Sequence, residues 1–312
     1  MFGIGSLETC AGLLIIRLDC WGTVLIIVRI IGGLGNQMFQ YAFGRAVSEE
    51  FGVDLYLDTS SYDTYSLHNG YELERVFGID SPVASTLDLR QILGWRASRF
   101  GRRILSKSQL KFLWGRNYYT VVDASFNCDN AYFAGFWQSE KYFNSIKSLL
   151  REEFQFAQAT TGENKRYQEE ILSCQGAVSI HVRRGDYVSN NRTNQVHGTC
   201  GLGYYERAMQ HIQQFVDDPV YYVFSDDPDW VSENLKIDNE CYFIRNNFGS
   251  DSYNDMRLMS YCKHNIIANS SFSWWGGWLN KNEDKIVIAP SQWFNDASRE
   301  ANDLIPENWL RL

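Results

Sequence analysis

The second half of this chain alternates apolar strands with helical segments, and this alternation restricts the fold more than any other feature. Five runs of the strand type occur, at 177–182, 220–225, 241–245, 265–269 and 285–290. Helical segments alternate with them, near 203–216, 228–235, 252–263 and 271–280. Strands that alternate with helices form a parallel sheet with helices on both faces. The pattern predicts a doubly wound α/β domain.

The first half begins with a further strand-helix-strand unit. An apolar strand ends at Ile31, a glycine-rich turn GGLGNQ follows, and a helix is predicted from about Met38 to Phe51, before a strand at 55–58. A length of 312 residues favours two domains. We predict an N-terminal domain at 1–160, a linker around 155–172, a C-terminal domain at 170–295 and a tail at 296–312, with the topology of 60–165 left open.

The first 23 residues fit neither a signal peptide nor a membrane anchor. The apolar stretch at 13–16 is followed by the charged residues Arg17 and Asp19, and it is too short to span a bilayer. A complete first strand already begins at Val24, so our hypothesis is that residues 1–23 are a non-native extension. We expect a cytoplasmic protein without a transmembrane segment, with peripheral association at the inner face of the membrane as the alternative.

Charge and composition exclude several classes of function. The net charge of -8 argues against a general nucleic-acid binder, so any anionic ligand is expected to be small. The seven cysteines form no CxxC pair and predict reduced thiols. Aromatic residues make up 15% of the chain, which favours carbohydrate binding weakly, because clefts for sugars use aromatic faces.

The segment HVRRGD at 181–186 places two arginines at the end of a predicted buried strand. An unpaired buried charge costs several kcal/mol, so each guanidinium needs an anionic partner. Side chains alternate along a strand, which puts His181 and Arg183 on one face and Arg184 on the other. We predict an ion pair of Arg184 with Asp186, and a phosphate contact for Arg183, because ligands bind at the carboxyl ends of such strands.

Two further segments suit a bound phosphate. Gly33 and Gly35 would let backbone amides approach an anion ahead of a helix, although Met38 stands where the dinucleotide-binding motif has its third glycine. The alternative is a tight turn with Asn36 and Gln37 as helix caps.

In the segment NSSFSWWGGWL, serine residues stand at the predicted start of a helix. They could form a diphosphate site, an N-cap, or both. The tryptophans of this helix, Trp274, Trp275 and Trp278, are expected to pack against the sheet.

The segment FSDDPDW contains Asp227-Pro228-Asp229, a DxD pattern that holds a divalent metal in some sugar transferases. Pro228 directly after a strand is also typical of a helix N-terminus, with Asp227 as its cap. We favour the cap, since no His, Cys or Asp cluster elsewhere has metal-ligand spacing. The sequence therefore predicts no metal and no cofactor.

Taken together, these segments resemble the bacterial alpha-1,2-fucosyltransferases of glycosyltransferase family 11. The resemblance runs from Val24 to about residue 295 and is carried by IIGGLGNQMFQYAFGRA, LDTSSYDTYSLHNGYELERVFGI, SIHVRRGDYV, YYVFSDDPDW and DMRLMSYCKHNIIANSSFSWWGGWLN. It implies a GT-B-like architecture of two Rossmann-like domains that face a cleft. It also implies inverting, metal-independent transfer of L-fucose from GDP-L-fucose to the 2-hydroxyl of a terminal galactose.

The resemblance also implies roles for individual residues. Arg183 would meet the donor phosphate, His181 and Asp255 the guanine, and the turn at Asn36 and the serines of SSFS the diphosphate. The predicted catalytic residues are Arg183 and Asn36, with Asp186 and His68 as the two candidates for the base. The predicted donor-binding residues are Gly33, Gly35, Gln37, His181, Arg184, Asp226, Asp255, Ser270, Ser271 and Ser273.

Two alternatives remain open at this point. The chain could transfer another sugar, or form another linkage, from a GDP donor, or it could be an inactive protein that binds a sugar or nucleotide. The expected partners are GDP-L-fucose and a galactose-terminated oligosaccharide or glycolipid, and no nucleic acid.

Overall fold

A computed structural model describes residues 25–63, 68–98, 131–185, 198–295, 301 and 303–312 of the chain. It also describes the backbone of two short antiparallel strands, Thr9–Cys10 and Leu13–Leu14. Asp186 lies outside the described residues. The proposed start near Val24 stays a prediction. In the described ranges, no helix combines the length and apolar character needed to cross a bilayer.

A three-stranded parallel sheet forms the N-terminal half. Its strands are β1 (Leu25–Arg29), β2 (Asp54–Asp58) and β3 (Ala131–Phe133), in the order β2-β1-β3. Helix α1 (Leu34–Phe51) joins β1 to β2. It begins a turn earlier than predicted, with Gly33 as N-cap, because Leu34 is buried together with Met38 one turn on. Residues 34–37, predicted as part of the turn, are therefore helical.

The region whose topology was left open contains short helices. They are α2 (Leu73–Phe77), α3 (Thr86–Leu93) and α4 (Lys147–Glu153), with 3-10 turns at Ser60–Asp63, Gly94–Ala97, Glu140–Tyr142 and Asn144–Ile146. Helix α3 starts at a capping box, in which the side chains of Ser85 and Asp88 each accept a bond from the other residue's backbone amide. Helix α5 (Gly162–Ser173) occupies the predicted linker.

A six-stranded parallel sheet forms the C-terminal half. Its strands are β4 (Ala177–Val182), β5 (Val220–Ser225), β6 (Cys241–Phe243), β7 (His264–Ile266), β8 (Val287–Ala289) and β9 (Leu310–Arg311). The helices between them are α6 (Leu202–Ile212), α7 (Pro228–Asn234), α8 (Tyr253–Tyr261) and α9 (Ser271–Leu279), with a 3-10 turn at Gly249–Asp251. The end of the predicted tail thus supplies an edge strand.

The order of this sheet is β9-β8-β7-β4-β5-β6. Strands β4 to β6 follow one another in one direction and β7 to β9 in the other, which is the doubly wound order predicted from the sequence. The direction reverses between the neighbours β4 and β7. A crevice opens at such a reversal, outside the carboxyl ends of the strands, and it is the usual ligand site of these sheets.

Helix α9 lies between the two halves of the molecule. The ring of Phe39 on α1 lies 4.5 Å from Trp274 and 4.8 Å from Trp275, and Trp275 stacks on Phe143. A Cβ on Gly277 would lie 3.1 Å from Val287 of β8. Gly277 therefore faces the sheet, and the tryptophans contact rings of the N-terminal half in addition to the core that they share with Val287 and Ala289 of β8. The small residue lets the helix approach the sheet closely.

Candidate active site at the strand reversal

The residues that follow β4 and β7 meet at the crevice. Arg183 and Arg184 come directly after β4, and Ser270 is the N-cap of α9 after β7. The ring centroids of His181 and Phe272 are 5.8 Å apart, so the end of β4 and the start of α9 are adjacent. Two segments that are about 90 residues apart in the chain are thus brought to one edge, as the sequence predicts.

Each of the two arginines pairs with an aspartate that follows β5. Nη1 of Arg183 lies 3.1 Å from Oδ2 of Asp226, and Nε of Arg184 lies 3.2 Å from Oδ2 of Asp227. The guanidinium of Arg184 also lies 3.3 Å from the ring centroid of Trp230. Arg184 pairs with Asp227 because β4 and β5 are parallel neighbours in register, so the residues that follow them lie side by side. The predicted partner Asp186 lies outside the described residues, and that pair stays a prediction.

Asp226 organises the loop after β4. Its Oδ1 accepts a hydrogen bond of 2.8 Å from the backbone amide of Arg184. A Cβ on Gly185 would lie 2.6 Å from its Oδ2, so a larger residue here would displace the Asp226 carboxylate. These contacts let Asp226 position Arg183, and its predicted contact with the donor stays a prediction.

His181 is buried near the end of β4. Burial lowers its pKa to about 4, Arg183 acts in the same direction, and Asp226 opposes them. The imidazole is therefore neutral at pH 7. Its Nδ1 is buried and has no hydrogen-bond partner among the described residues. Because an unsatisfied buried polar atom is costly, this nitrogen suits a ligand group.

Asp255 lies in the first turn of α8 within a network of asparagines. Nδ2 of Asn247 donates to Oδ1 of Asp255 at 2.7 Å, and Asn247 is bonded in turn to Asn164 on α5. Burial raises the pKa of Asp255 to about 7, with the Asn247 amide opposing this shift. In the described parts of the chain, no hydrogen bond or ion pair joins Asp255 to His181.

The glycine-rich turn and the serine helix meet across the interface between the two halves. A Cβ on Gly35 would lie 2.6 Å from the carbonyl carbon of Ser271. Nε1 of Trp275 donates to the backbone oxygen of Gly35 at 2.9 Å. Gly35 is therefore required for close packing of α1 on the start of α9, and the contact places Asn36 beside the crevice.

Two side chains lie against the start of α1. Nε2 of Gln138 donates to Oδ1 of Asn36 at 2.6 Å, and a Cβ on Gly33 would lie 3.4 Å from Nδ1 of His68. The preceding residue, Trp137, has a left-handed backbone (φ 51°), which is strained for a non-glycine residue. Sequence reasoning missed Gln138, since a single amide within an aromatic run carries no recognisable signal.

The side chain of Gln37 links two loops. It has no exposed surface, donates to the carbonyl oxygens of Gly32 at 3.0 Å and Gly70 at 2.8 Å, and accepts a bond from the amide of Glu72 at 2.9 Å. Both of its amide atoms are bonded to backbone. The structure therefore corrects its predicted role in donor binding to a structural one.

The three serines of the α9 start differ in their surroundings. Ser270 caps the helix, because its Oγ accepts a bond of 3.3 Å from the amide of Phe272. Ser273 is fully buried, and its hydroxyl is bonded to the carbonyl oxygens of Ala268 and Ser270, so its side chain is structural rather than ligand-binding. Ser271 is half-buried and lies at the crevice.

The DxD pattern is engaged by arginines. Asp227 occupies the N-cap position with Pro228 after it, as predicted, but its carboxylate bonds Arg184 rather than a helix amide. Asp229 pairs with Arg245. Nowhere in the described ranges do three His, Cys, Asp or Glu side chains gather in a metal-binding arrangement. That the reaction needs no metal stays a prediction.

The chain is similar to known glycosyltransferases along most of its length. A family model described as "Glycosyl transferase family 11" matches residues 83–312. An alpha-1,2-colitosyltransferase of Escherichia coli is 35% identical over 295 residues, covering 92% of this chain and 99% of that protein. The O-antigen biosynthesis glycosyltransferase WbnK of the same species is 32% identical over 308 residues, covering 90% and 98%.

One solved structure supports the fold. A crystal structure of NodZ alpha-1,6-fucosyltransferase soaked with GDP-fucose aligns with a TM-score of 0.50 at 16% identity, covering 83% of this chain and 93% of that chain. This likeness supports two parallel α/β halves of the GT-B-like type. Together with the matches over nearly the whole sequence, it leads to one conclusion: the chain belongs to glycosyltransferase family 11 and is a glycosyltransferase with a GT-B-like fold.

Proposed function

We propose that the protein transfers L-fucose from GDP-L-fucose to the 2-hydroxyl of a terminal galactose in a glycan, with inversion and without a metal. The observation that carries this proposal is the position of Arg183. It follows β4 at the strand reversal, two residues after His181, whose ring lies 5.8 Å from Phe272 in the first turn of α9. A diphosphate bound there would meet a guanidinium and a helix N-terminus together.

The chemistry requires stabilisation of a leaving anion. The bond between C1 of fucose and the β-phosphate oxygen breaks, and a bond forms between C1 and the galactose 2-oxygen on the opposite face. The GDP leaves with the bonding electrons. Arg183 and the amides at the start of α9 would hold the phosphate more tightly as its charge develops, which lowers the barrier.

The galactose 2-hydroxyl must lose its proton to a base. His68, which lies against Gly33, and Asp186, outside the described residues, are the two candidates. Replacing each residue with its nearest amide (His68→Gln, Asp186→Asn) and comparing rate-pH profiles separates them. The base is the residue whose loss abolishes the acidic limb, the fall in rate as the pH drops below the pKa of the base.

The guanine would be held by His181 and Asp255. The partnerless Nδ1 of neutral His181 suits a polar group of the nucleoside. Asp255, when ionised, would accept bonds from the N1 and N2 hydrogens of guanine, which distinguishes guanine from uracil. A protein that binds UDP as well as GDP would contradict this assignment.

A second donor has a specific observation in its favour. The E. coli relative named above is an alpha-1,2-colitosyltransferase. Colitose is L-fucose without the 3-hydroxyl group, so a site for one sugar would need only a small change to take the other. GDP-colitose is therefore the second candidate donor.

The decisive experiment presents both donors with lactose, with and without a chelator. We expect release of GDP and a new trisaccharide from GDP-fucose, at the same rate in the presence of EDTA, with an alpha-1,2 linkage by NMR. Faster transfer from GDP-colitose would replace the donor assignment. A loss of activity with EDTA that added metal restores would overturn the metal-independent mechanism.

A further inference from the structure

A large open cavity lies at the carboxyl edge of the N-terminal sheet. Its volume is about 1030 Å³, and its lining includes Arg29, Ile31, Ser61, Asp63, Arg90 and Trp95. Arg29 ends β1, and Ser61 and Asp63 belong to the 3-10 turn that follows β2. Arg90 is on α3, and Trp95 is in the 3-10 turn after it. The donor site described above uses none of these side chains.

The cavity adjoins the proposed reaction centre. Ile31 in its wall directly precedes Gly32, the residue that begins the glycine-rich turn. The hydroxyl of Tyr62, in the turn that lines the cavity, donates to the carbonyl oxygen of Gly32 at 2.7 Å. A molecule in the cavity would therefore lie against Ile31, next to the start of the glycine-rich turn. Such a position would suit the acceptor chain, since the proposed nucleotide contacts lie on the C-terminal half.

Trp95 gives the cavity an aromatic wall. Its side chain is 64% exposed, although burial of a tryptophan is normally favourable. Among the described residues, no ring or cation packs on it. Exposed aromatic faces beside polar groups stack on the C–H faces of sugars, since the ring supplies a large apolar surface.

The charges of the cavity favour an anion. Arg90 is exposed and has no ion-pair partner among the described residues. Nε of Arg29 donates to Oγ of Ser61 at 3.0 Å, which fixes the guanidinium in the wall. Asp63 is the acidic residue among those that line the cavity. Two guanidiniums and one carboxylate leave an excess positive charge, which a sugar carboxylate would neutralise.

We propose that this cavity binds an acidic sugar of the acceptor glycan, linked to the galactose that receives the transferred residue. Trp95 stacks on the sugar ring and Arg90 meets its carboxylate. This inference rests on the proposed function, which identifies the terminal sugar of the acceptor as galactose. The new element is an acceptor preference, in which galactosides of uronic acids are better acceptors than neutral galactosides.

The test uses two matched acceptors, lactose and the same disaccharide with the 6-hydroxymethyl group of its glucose replaced by a carboxylate. We expect a KM roughly fivefold lower for the acidic disaccharide, the size of a partly exposed ion pair. Arg90→Gln should equalise the two KM values. Trp95→Ala should raise both roughly fivefold, through lost ring contact, at unchanged kcat.

Two substitutions on the C-terminal half serve as controls. Phe215→Ala removes an equally exposed aromatic ring, and Arg207→Gln removes an exposed arginine of α6. Both should leave the two KM values unchanged. All four positions are exposed, so the variants should keep the thermal midpoint of the parent, which differential scanning fluorimetry checks.

Equal KM values of the parent for the two disaccharides would overturn the acidic preference, and an unchanged KM in Trp95→Ala would overturn the subsite. If GDP-fucose gives no transfer, ligand-observed NMR of the two disaccharides replaces the KM values. Tighter binding of the acidic one that depends on Arg90 supports the inference, and equal binding overturns it. Calorimetry of GDP binding to the same protein tests the donor site independently of the acceptor subsite.

Discussion

The two ends of helix α9 have different hydrogen-bonding and charged partners. At the C-terminal end, Nη2 of Arg151 donates to the carbonyl oxygen of Trp278 at 2.6 Å. Nζ of Lys285 donates to the carbonyl oxygens of Gly277 at 2.9 Å and Asn280 at 2.7 Å. At the N-terminal end, a cation, Arg183, lies on the adjoining strand end, and hydroxyls open the helix.

Helix electrostatics explain the difference. Cations stabilise the negative C-terminal end of a helix, so Arg151 satisfies a carbonyl that the helix leaves unbonded. Lys285 donates to carbonyl oxygens there as well, and burial lowers the pKa of its amine to about 7. A cation at the positive N-terminal end opposes the helix dipole unless an anion lies between them. Asp226 places one negative charge beside Arg183, and the phosphates of a donor would add further negative charge. The chain's own side chains satisfy the C-terminal end of α9, and we expect the substrate to satisfy the N-terminal end.

The largest effect is expected at the N-terminal end. Arg183→Ala should lower kcat by about 100- to 1000-fold, equivalent to about 3 to 4 kcal/mol, since it removes the group that meets the leaving phosphate. GDP release in a coupled assay measures this change. Arg245→Ala, which breaks another Arg–Asp pair at the rim, should keep near-normal turnover. Near-normal turnover in Arg183→Ala would remove this arginine from the mechanism.

Gly35→Ala tests the contact between α1 and the start of α9. The added Cβ would lie 2.6 Å from Ser271, so the two helices must separate, at a cost of about 1 to 3 kcal/mol in the free energy of unfolding. Alanine is otherwise the better helix former. Urea unfolding and kcat should both show a loss. Gly201→Ala, where an added Cβ meets no atom within 4 Å, is the control, and an equal response of both variants would refute the close contact.

A substitution at the C-terminal end should affect stability without affecting chemistry. Arg151→Met leaves the Trp278 carbonyl unsatisfied and removes a cation 4.6 Å from the Trp278 ring centroid. We expect a loss of about 1 to 3 kcal/mol in the free energy of unfolding at unchanged kcat. Arg166→Met, which breaks an exposed ion pair within α5, should cost less than about 0.5 kcal/mol. A fall in kcat with Arg151→Met would show that the two ends are coupled.

The smallest effect concerns pH at the guanine side of the crevice. The pKa of Asp255 is raised to about 7, above its ordinary value, so the folded protein retains a proton that the unfolded chain releases between about pH 4 and 7. Stability without ligand should therefore decrease as pH rises through this range. GDP, which needs the ionised carboxylate, should bind about tenfold more weakly at pH 6 than at pH 8.

Calorimetry at both pH values measures the effect on GDP binding. Asp255→Asn should bind GDP weakly at either pH, and the pH dependence that remains in this variant reports the phosphates of GDP. An undiminished affinity in Asp255→Asn would take this residue out of the guanine site.

The parts of the fold that sequence predicts well depend on local pattern. Strands β4 and β5 have the bounds predicted from their apolar runs, because polar or turn residues flank both. The start of α1 was placed too late, since Gln37 was interpreted as part of the turn or as a helix cap. Its amide is bonded to the backbone of two loops, and such bonds leave no trace in hydrophobic periodicity.

The candidate site likewise contains residues that the sequence predicts and pairings between residues that it does not. The sequence identifies Arg183 and the α9 serines as polar residues at strand ends, which is a local feature. It does not identify Asp226 as the partner of Arg183 or Gln138 as the partner of Asn36, because these pairs are 43 and 102 residues apart. The cavity beside Trp95 is also formed by segments that carry no common motif.

The sequence by itself determined the parallel sheet, the chemistry gathered at its carboxyl edge and the family, since each follows from local periodicity and short motifs. Only the tertiary structure decided which carboxylate neutralises which arginine, which serine hydroxyl is buried, and that Gly35 lies at a close contact between the two halves. The physical reason is that hydrogen bonds and ion pairs act over about 3 Å in space, and two residues that close are often far apart in the chain.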